Sequence, residues 1–507
     1  MRFTPKTNPG PDAILLPGEH AGAMTKGTGW LGLLLSTGLV AAVGVLAGWL
    51  QPLGPITAAE AIAWLAGGAA TGLIAGLLAR SRWMLWLAPV GFIVAFEIAR
   101  SGAGLVTTGP LRLGSAFGPL AYLLGRLAAW GLATVSLLAG VGWGSRGEHA
   151  RHRPVGPLIA TGLTVVLAVA LLLPATSPPL RDAEGRPNDG AVSELVRVEL
   201  GGHEQWIQVR GARPNLPVLL YLSGGPGQSD LPYSRVLFAP LTDDFLVVGW
   251  DQRGTGKSYP ALDAETLTLD QAVADTVELA GLLAERYGQQ KIYLLGESWG
   301  SLLGVLAVQQ APELFHAYLG SGQMVDVRAS DEAIYRDLIV QAMSQGDGEL
   351  VARLISMGPP PYRGGTLDYA TIFSLYPLIE GSYTPPLAYR QRGDAARLGP
   401  WGVLGQEYAW LEKINVLRGL LDMNSVMYPQ LQELDLRRSA RTLEVPVYLL
   451  VGEHELAARS DLAREWFDLL DAPDKGWYQL PDSGHSVAFE QADELHRILL
   501  NDVQGAR

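Results

Sequence analysis

The chain has 507 residues, a net charge of −12 and no cysteine. This length exceeds one ordinary domain, and the missing cysteine excludes disulfides, thiol catalysis and Cys-ligated metal sites. Residues 1–178 hold 11 Lys/Arg and 5 Asp/Glu, whereas residues 179–507 hold 27 and 45. The acidic second part argues against nucleic acid as a partner, because phosphate backbones require clustered Lys and Arg.

Five long apolar runs occupy the first part of the chain, at about 30–50, 60–79, 83–99, 117–141 and 156–174. Each run is close to the roughly 20 residues that cross a bilayer core as a helix. A cleaved signal peptide would account for one run only, and a buried soluble bundle would rarely be so poor in charge. We therefore predict an all-α transmembrane region of about five helices over residues 1–178.

Positive charges predict the orientation of these spans. They precede the first run and lie between runs two and three and between runs four and five: Arg2, Lys6, Lys26, Arg80, Arg82, Arg146, Arg151 and Arg153. The opposite loops hold only Arg100 and Arg112. Because positive loops stay in the cytoplasm, the N-terminus is expected inside and the chain after Pro174 outside. This predicts a multi-pass protein of the cell membrane, with the bilayer as a partner.

Two ionisable residues interrupt the apolar runs. Glu97 lies near the end of the third run and Arg126 lies within the fourth. Charges inside a membrane are functional candidates, but a structural ion pair or snorkelling to the interface explains them equally well. The sequence leaves both readings open, and no pattern of charges marks a transport path.

A linker over residues 179–194, rich in Pro, Gly and charge, precedes an alternation of strands and helices. Short apolar runs such as PVLLYL, DFLVVGW, KIYLLG and PVYLLVG are typical of parallel strands covered on both faces. Helical patterns between them indicate an α/β fold with helices on both sides of the sheet. Residues 328–443 break this alternation, so we predict a helical insertion between core segments 195–327 and 444–507.

The segment WDQRGTGKS, residues 250–258, contains the end of a phosphate-binding loop. The full signature G-x-x-x-x-G-K-[ST] requires glycine at the position of Asp251. Pro260 also opposes a helix that would begin at Lys257. We therefore expect no nucleotide to bind here.

A serine in the segment GESWG, residues 296–300, is the candidate nucleophile. The spacing G-x-S-x-G permits a sharp strand-to-helix turn that exposes the hydroxyl of Ser298. The segment SGGPG, residues 223–227, ends another predicted strand, and its glycines let backbone amides approach a substrate oxygen. We expect the amides of Gly225 and Trp299 to form an oxyanion hole, a plain tight turn at SGGPG being the alternative.

The general base of such a serine is expected to be a histidine that follows it in the chain. His485 lies in a loop between a strand-like run and the last helix, where this architecture carries its base. The other histidines considered lie in strand regions or in the last helix: His203, His316 and His496.

The acid that orients the base should follow the strand VPVYLLVG. Glu455 ends the segment GEHE, three residues beyond Gly452, and could stabilise the charged imidazole. Asp461 is a rival for this role and Asp482 a weaker one. No metal or other cofactor is expected.

Four ordered motifs resemble the prolyl aminopeptidase (proline iminopeptidase) branch of the α/β-hydrolases. That family carries H-G-G-P-G, W-D-Q-R-G-x-G-x-S, G-x-S-W-G and a late G-H-S, and this chain carries SGGPG, WDQRGTGKS, GESWGS and SGHS. The resemblance covers about residues 195–507. It implies an α/β-hydrolase fold in which 328–443 form a helical cap, with WDQRGTGKS as the turn after the fourth strand, at the pocket floor.

The resemblance also implies a mechanism. Hydrolysis would pass through an acyl-enzyme at Ser298, with His485 as base and then acid and Glu455 orienting it. The amides of Gly225 and Trp299 would stabilise the oxyanion. The leading hypothesis is a membrane-anchored extracytoplasmic aminopeptidase that releases proline-type N-terminal residues from short peptides. A carboxylesterase or lipase with the same triad is the alternative, and a non-catalytic ligand-binding sensor or transporter is a third possibility.

The chain departs from the family pattern in three ways. Ser223 replaces the histidine before the glycines, and Glu455 stands where aspartate is usual. The family holds the substrate amine with carboxylates of the cap, but the candidates here match no motif: Glu380, Glu407, Glu412 and Asp422.

Overall fold

The computed structural model describes residues 21–51, 55–100, 104–146, 154–181, 184–362 and 365–505. The described residues fall into two compact units. The first lies within Met1–Leu50, Ala63–Arg100 and Leu132–Val166, and the second within Gln51–Ile62, Ser101–Gly131 and Leu167–Arg507. Four of the charges used to predict orientation, Arg2, Lys6, Arg151 and Arg153, lie outside the described residues, as does the side chain of Lys26.

The N-terminal region is helical. Its helices are α1 (Ala21–Leu50), α2 (Ala58–Ala79), α3 (Met84–Ala99), α4 (Phe117–Arg126), α5 (Leu132–Gly144) and α6 (Val155–Leu172). Within the described residues, three helices have the length and apolar character needed to cross a membrane: Gly29–Leu50 of α1, α2 and α6. The bent pair α4 and α5 adds a fourth candidate if both halves belong to one span.

The count differs from the predicted five because two apolar runs do not form long helices. Helix α3 has 16 residues, about 24 Å at 1.5 Å per residue, against about 30 Å of hydrocarbon. The predicted span at 117–141 is divided by a π-helical turn at Leu127–Gly131. Hydropathy counts apolar residues but does not register such an interruption.

Arg126, at the end of α4, has a structural environment. It is buried, and its guanidinium donates to the carbonyl oxygens of Thr108 at 3.3 Å and Gly109 at 3.4 Å. The guanidinium also lies over the ring of Tyr122, 4.6 Å from its centroid. These contacts favour the structural reading of this charge over the functional one.

Small residues allow α2 and α5 to pack closely. A side chain at Gly72 would collide with the carbonyl oxygen of Leu137, and one at Gly140 with that of Ala69. Such small-residue contacts let helix backbones approach closely and are common between transmembrane helices.

Within the described residues, eight strands form one sheet. They are β1 (Val192–Leu200), β2 (His203–Gly211), β3 (Val218–Leu222), β4 (Leu246–Asp251), β5 (Ile292–Glu297), β6 (Phe315–Ser321), β7 (Val447–Gly452) and β8 (Lys475–Leu480). Their order across the sheet is β1-β2-β4-β3-β5-β6-β7-β8. Strands β1 and β2 pair antiparallel, as do β2 and β4, and the remaining pairs are parallel. This is the mostly parallel sheet that the alternation predicted.

The central strands are buried on both faces, which explains their continuous apolar sequences. In β3, Leu220 and Leu222 join the core on one face, whereas Leu219 and Tyr221 join the core on the other. Every residue of β3, β4, β5 and β7 is buried. Side chains on successive positions point to opposite faces, so a strand covered on both sides needs apolar residues at every position.

Helices cover the sheet and fill the interval between β6 and β7. Before that interval lie α7 (Leu231–Leu237), α8 (Leu269–Arg286) and α9 (Trp299–Gln310). The interval itself holds α10 (Val327–Ser344), α11 (Gly348–Met357), α12 (Thr366–Phe373), α13 (Leu387–Ala396), α14 (Trp410–Met427) and α15 (Leu436–Ser439). After it come α16 (Ala457–Leu469), α17 (Val487–Glu490) and α18 (Ala492–Ile498). Every regular element described between β6 and β7 is thus a helix, as the predicted cap requires.

Candidate active site

Ser298 occupies a sharp turn between β5 and α9. Its backbone has φ 52° and ψ −119°, a region that residues other than glycine rarely adopt. The turn requires glycine on both sides of the serine, because a side chain at Gly296 would collide with the carbonyl oxygen of Gly300, and one at Gly300 with that of Leu222. The amide of Ser298 donates to the carbonyl oxygen of Ser321 at 3.0 Å, which ties the turn to the end of β6.

His485 and Glu455 meet at the carboxyl ends of the last two strands. His485 follows β8 and Glu455 follows β7, and Nδ1 of the imidazole is hydrogen-bonded to Oε2 of the carboxylate. The Glu455 side chain is only 3% exposed, whereas the imidazole is 24% exposed. The two rival acids, Asp461 and Asp482, are exposed. The imidazole therefore has its carboxylate on one side and remains partly exposed to solvent.

The charge on Glu455 is stabilised by its neighbours. Burial by itself would raise the pKa of Glu455, but His485 and Arg459 outweigh it and lower the pKa to about 2. Arg459 Nη1 lies 3.4 Å from Oε1, and the amide of Leu456 donates to the same oxygen at 2.9 Å. Glu455 is thus ionised across the physiological range and can stabilise a positive imidazole.

The serine and the histidine lie on adjacent segments without being hydrogen-bonded. Ser486 Oγ donates to Glu297 Oε1 at 2.8 Å, which joins the residue after the histidine to the residue before the serine. Among the described residues, the partner of the Ser298 hydroxyl is Sδ of Met324, at 3.7 Å. The hydroxyl must therefore turn from Met324 toward His485 before it can transfer a proton.

The two amides expected in an oxyanion hole flank the serine. Trp299 is the first residue of α9, and Gly225 has φ 114° in the SGGPG loop, which a residue with a side chain would adopt only with strain. A side chain at Gly224 would lie 3.3 Å from Cβ of Ser298. In the described part of the chain, neither the Gly225 amide nor the Trp299 amide donates to an acceptor. Both remain available to a substrate oxygen.

Gln252 connects the two segments that carry these amides. Its Oε1 accepts from the indole N–H of Trp299 at 2.8 Å, and its Nε2 donates to the carbonyl oxygen of Ser223 at 3.2 Å. Ser223 Oγ in turn donates to the carbonyl oxygen of Gln228 at 3.2 Å. The WDQRGTGKS turn after β4 thus connects the SGGPG loop to the start of α9. Ser223, which stands where the family pattern has histidine, is held by hydrogen bonds on both sides.

The cap carboxylates Asp422 and Glu407 have structural partners. Asp422 accepts from the amide of Thr107 at 2.8 Å and from the hydroxyl of Tyr259 at 2.6 Å. Glu407 is fully buried and forms an ion pair with Arg235. Asp422 is therefore fully engaged, and Glu407 is buried beside Arg235 with Oε1 as its bonded oxygen.

The remaining two cap carboxylates differ from each other. Glu412 binds Lys257 Nζ at 2.9 Å and caps α14 through the amide of Ala409 at 2.7 Å. The side chain of Glu380 makes no hydrogen bond among the described residues, and burial raises its pKa. It lines a groove of about 500 Å³ together with Glu455 and His454. Glu380 is the cap carboxylate left available beside the imidazole.

Sequence reasoning did not identify Glu297, Arg459 or Met324 as parts of the site. Arg459 lies one helical turn after Glu455, and this i,i+4 spacing could have signalled the ion pair. The partners of Glu297 and Met324 are distant in sequence, so no local pattern marks them. Within the described residues, no three His, Asp or Glu side chains are placed to hold a metal ion.

The family comparison agrees with this architecture. A family profile described as the alpha/beta hydrolase fold matches residues 217–354. A proline iminopeptidase-related protein of Thermus thermophilus superposes with a TM-score of 0.42 and 22% identity, covering 62% of this chain and 98% of that one. The sheet, the helical insertion and the family match together define an α/β-hydrolase fold and support a hydrolase.

The relatives of this chain are named as aminopeptidases. A probable aminopeptidase of Bacillus subtilis is 28% identical over 306 residues, which cover 60% of this chain and 94% of that protein. The proline iminopeptidase of Neisseria gonorrhoeae is 37% identical over 111 residues, covering 22% of this chain and 34% of that protein. The alignment thus spans only about a third of the length of the Neisseria enzyme. The chain has the α/β-hydrolase fold and proline iminopeptidase-like homologues.

Proposed function

We propose that this protein is a serine aminopeptidase that removes proline-type N-terminal residues from short peptides. The observation that carries the proposal is the buried Glu455 carboxylate, hydrogen-bonded to His485 beside the strained turn of Ser298. A carboxylate, an imidazole and an exposed hydroxyl in this order are the parts of a nucleophilic hydrolase. The aminopeptidase names of the relatives supply the substrate class.

The reaction would begin with attack of Ser298 Oγ on the carbonyl carbon of the scissile bond. His485 takes the hydroxyl proton through Nε2, and the ionised Glu455 stabilises the resulting imidazolium. The negative oxygen of the tetrahedral intermediate accepts from the amides of Gly225 and Trp299. The imidazolium then protonates the leaving amine, the C–N bond breaks, and the acyl group remains on Ser298.

Water completes the cycle. His485 deprotonates a water molecule that attacks the acyl carbon, and the same proton returns to Ser298 as the ester bond breaks. The products are a free amino acid and the shortened peptide. All proton transfers use one imidazole, so the mechanism requires no metal and no cofactor.

Glu380 is the proposed acceptor for the substrate's free amine. It is half-buried, its carboxyl group makes no side-chain hydrogen bond among the described residues, and it lies in the electrostatic environment of Arg459, His485 and Glu455. An ammonium group bound there would pair with the carboxylate and orient the first peptide bond toward the serine. The position of Glu380 supports an aminopeptidase over an esterase, because the substrate of an esterase need not carry an amine.

We also propose that the protein is multi-pass in the cell membrane, with the hydrolase on the extracytoplasmic side. The apolar helices α1, α2 and α6 support insertion. Arg80 and Arg82 lie between α2 and α3, and Arg146 follows α5, which supports the predicted orientation because positive loops remain inside.

A labelling experiment tests nucleophile and sidedness together. Intact cells and lysed cells that express the full chain are treated with a fluorophosphonate that cannot cross membranes. We expect equal labelling in both samples and none for Ser298→Ala. Labelling only after lysis would contradict the orientation, and no labelling in either sample would favour a non-catalytic ligand-binding protein.

Substrate assays on the purified, unlabelled protein test the substrate class. We expect turnover of proline amides with a free N-terminus. Strong turnover of acyl esters without any peptide-bond cleavage would instead identify a carboxylesterase or lipase.

A further inference from the structure

A buried carboxyl group precedes the candidate nucleophile and has no role in the mechanism above. Glu297 is the last residue of β5 and is only 2% exposed. In the described part of the chain, no Lys, Arg or His side chain forms an ion pair with it. Its oxygens contact two hydroxyl groups, Ser486 Oγ at 2.8 Å and the Tyr221 hydroxyl at 3.3 Å. A buried carboxylate without a cation is costly unless it holds a proton.

The Tyr221 hydroxyl lies between two acids. It is 2.9 Å from Oδ2 of Asp230 and 3.3 Å from Oε2 of Glu297. The other oxygen of Asp230 accepts from Nε2 of Gln228 at 2.8 Å. A phenol has only one proton to donate, so it cannot donate to both acids. If it donates to the closer Asp230, the contact with Glu297 is a hydrogen bond only when Glu297 carries a proton.

A third acid, Glu490, lies nearby and already has its donors. Its Oε2 accepts from the amide of Gly484 at 2.7 Å, and its Oε1 accepts from the hydroxyl of Tyr383 at 2.8 Å. Both oxygens of Glu490 thus accept hydrogen bonds, and the charge of Glu490 opposes a second charge on Glu297. Tyr389, from the cap, also faces this cluster.

We propose that Glu297 is a positioning residue that works as a protonated carboxylic acid. It donates to Tyr221 of β3 and accepts from Ser486, and so holds the segment of His485 against the turn of Ser298. The inference rests on the proposed function, because it assigns the positioning of that same serine and histidine.

The electrostatic environment agrees with a protonated Glu297. Burial, together with the charges of Asp230 and Glu490, raises the pKa of Glu297 to about 8, although the hydrogen bonds of Ser486 and Tyr221 act in the opposite direction. Burial also raises the pKa of Asp230, to about 6. Above pH 8 a second charge would form beside Asp230, and the donation from Glu297 to Tyr221 would be lost. Repelled by Asp230 and no longer bonded to Tyr221, the Glu297 side chain would shift, and the turn of Ser298 and the loop of His485 that it holds through Ser486 would shift with it.

The test is the rate of fluorophosphonate inactivation of the purified full chain between pH 6 and 10. The probe carries no amine, so ionisation of a substrate amine does not contribute to the pH dependence of the rate. For the native protein we expect the rate to fall above pH 8, to about one tenth of its plateau one unit higher, as a single ionisation requires. Glu297→Gln keeps a donor and an acceptor but cannot ionise, so its rate should show no such fall. Identical profiles for the two proteins would overturn the proposal.

A second variant tests the hydrogen bond between Ser486 and Glu297 without altering the buried acid. Ser486→Ala removes the hydrogen bond to Glu297 at a partly exposed position. We expect it to lower the inactivation rate several-fold at every pH while the fall above pH 8 remains. A native rate in Ser486→Ala would contradict the positioning role. Absence of inactivation in the native protein, as in the Ser298→Ala control, would instead refute the proposed function itself.

Discussion

Thr107 and Asp422 are 315 positions apart in the chain and are joined by two hydrogen bonds. The amide of Thr107 donates to Oδ1 of Asp422 at 2.8 Å, and its hydroxyl donates to Oδ2. Asp422 is fully buried and lies 3.9 Å from Arg418 Nε, whose guanidinium also covers the ring of Tyr259. The segment before α4 is therefore a structural part of the cap and not a free loop between spans.

The first prediction concerns this connection. Asp422→Ala should lower the free energy of unfolding by about 3 kcal/mol, because it leaves the buried Arg418 without its carboxylate. Thermal unfolding of the detergent-solubilised full chain measures the effect. Asp461→Ala, a change at an exposed acid in α16, is the matched control and should unfold like the native protein. Equal stability of the two variants would show that the connection contributes nothing.

The second prediction concerns the identity of the triad acid. Glu455→Gln should lower kcat by about 10³- to 10⁴-fold, since the neutral amide neither selects the reactive tautomer of His485 nor stabilises its charge. Asp461→Asn should leave kcat near the native value. Steady-state kinetics on a proline amide separates the two, and the reverse ranking would make Asp461 the acid.

The third prediction concerns stability in acid. The pKa of Glu455 is lowered to about 2 in the fold, against about 4.3 in an unfolded chain. The carboxylate therefore contributes stability, on the order of 3 kcal/mol, that is present above pH 4.5 and is lost as the pH falls through 2. Glu455→Gln should be less stable than the native protein at pH 7, and the difference should shrink as the pH falls below 4.5. Denaturant unfolding from pH 7 to 3 checks this, and a constant difference would contradict it.

The fourth prediction concerns specificity for a free amine. Glu380→Gln should raise KM for a proline amide about tenfold or more, as expected when an ammonium group loses a charged partner. KM for an acyl ester should not change. Glu453→Gln is a suitable control, because Glu453 lines the same groove but is exposed. Equal effects on amide and ester would argue that Glu380 acts only on the shape of the pocket.

The fifth prediction concerns packing in the helical region. Gly72→Leu should destabilise it, typically by about 1–3 kcal/mol for overpacking, since a side chain there collides with the backbone of α5 at Leu137. Gly67→Leu is the matched control in the same helix, because a side chain at Gly67 meets nothing within 4 Å. Thermal unfolding of the solubilised protein should separate the variants, and equal melting temperatures would mean that α2 and α5 do not pack as described.

Several features of this protein could be predicted from its sequence because they are local. Buried parallel strands need apolar residues at every position, and the turn of Ser298 needs glycine two residues away on each side. The candidate nucleophile, acid and base each come soon after a strand, β5, β7 and β8, so their order can be read along the chain. These patterns are sufficient to predict the α/β-hydrolase fold and the pairing of His485 with Glu455 from the sequence alone.

Other features were decided only by the tertiary structure. Hydropathy predicted five spans, but an interrupted helix and a short one reduce the candidates to three or four among the described residues. The cap carboxylates looked equivalent in sequence, and only the positions of Thr107, Arg235 and Lys257 set Glu380 apart. The proton that we assign to Glu297 depends on Tyr221 and Ser486, which lie 76 and 189 positions away. Long-range contacts of this kind leave no periodic trace in the chain, because periodicity records which face of an element is buried and not which residue it meets.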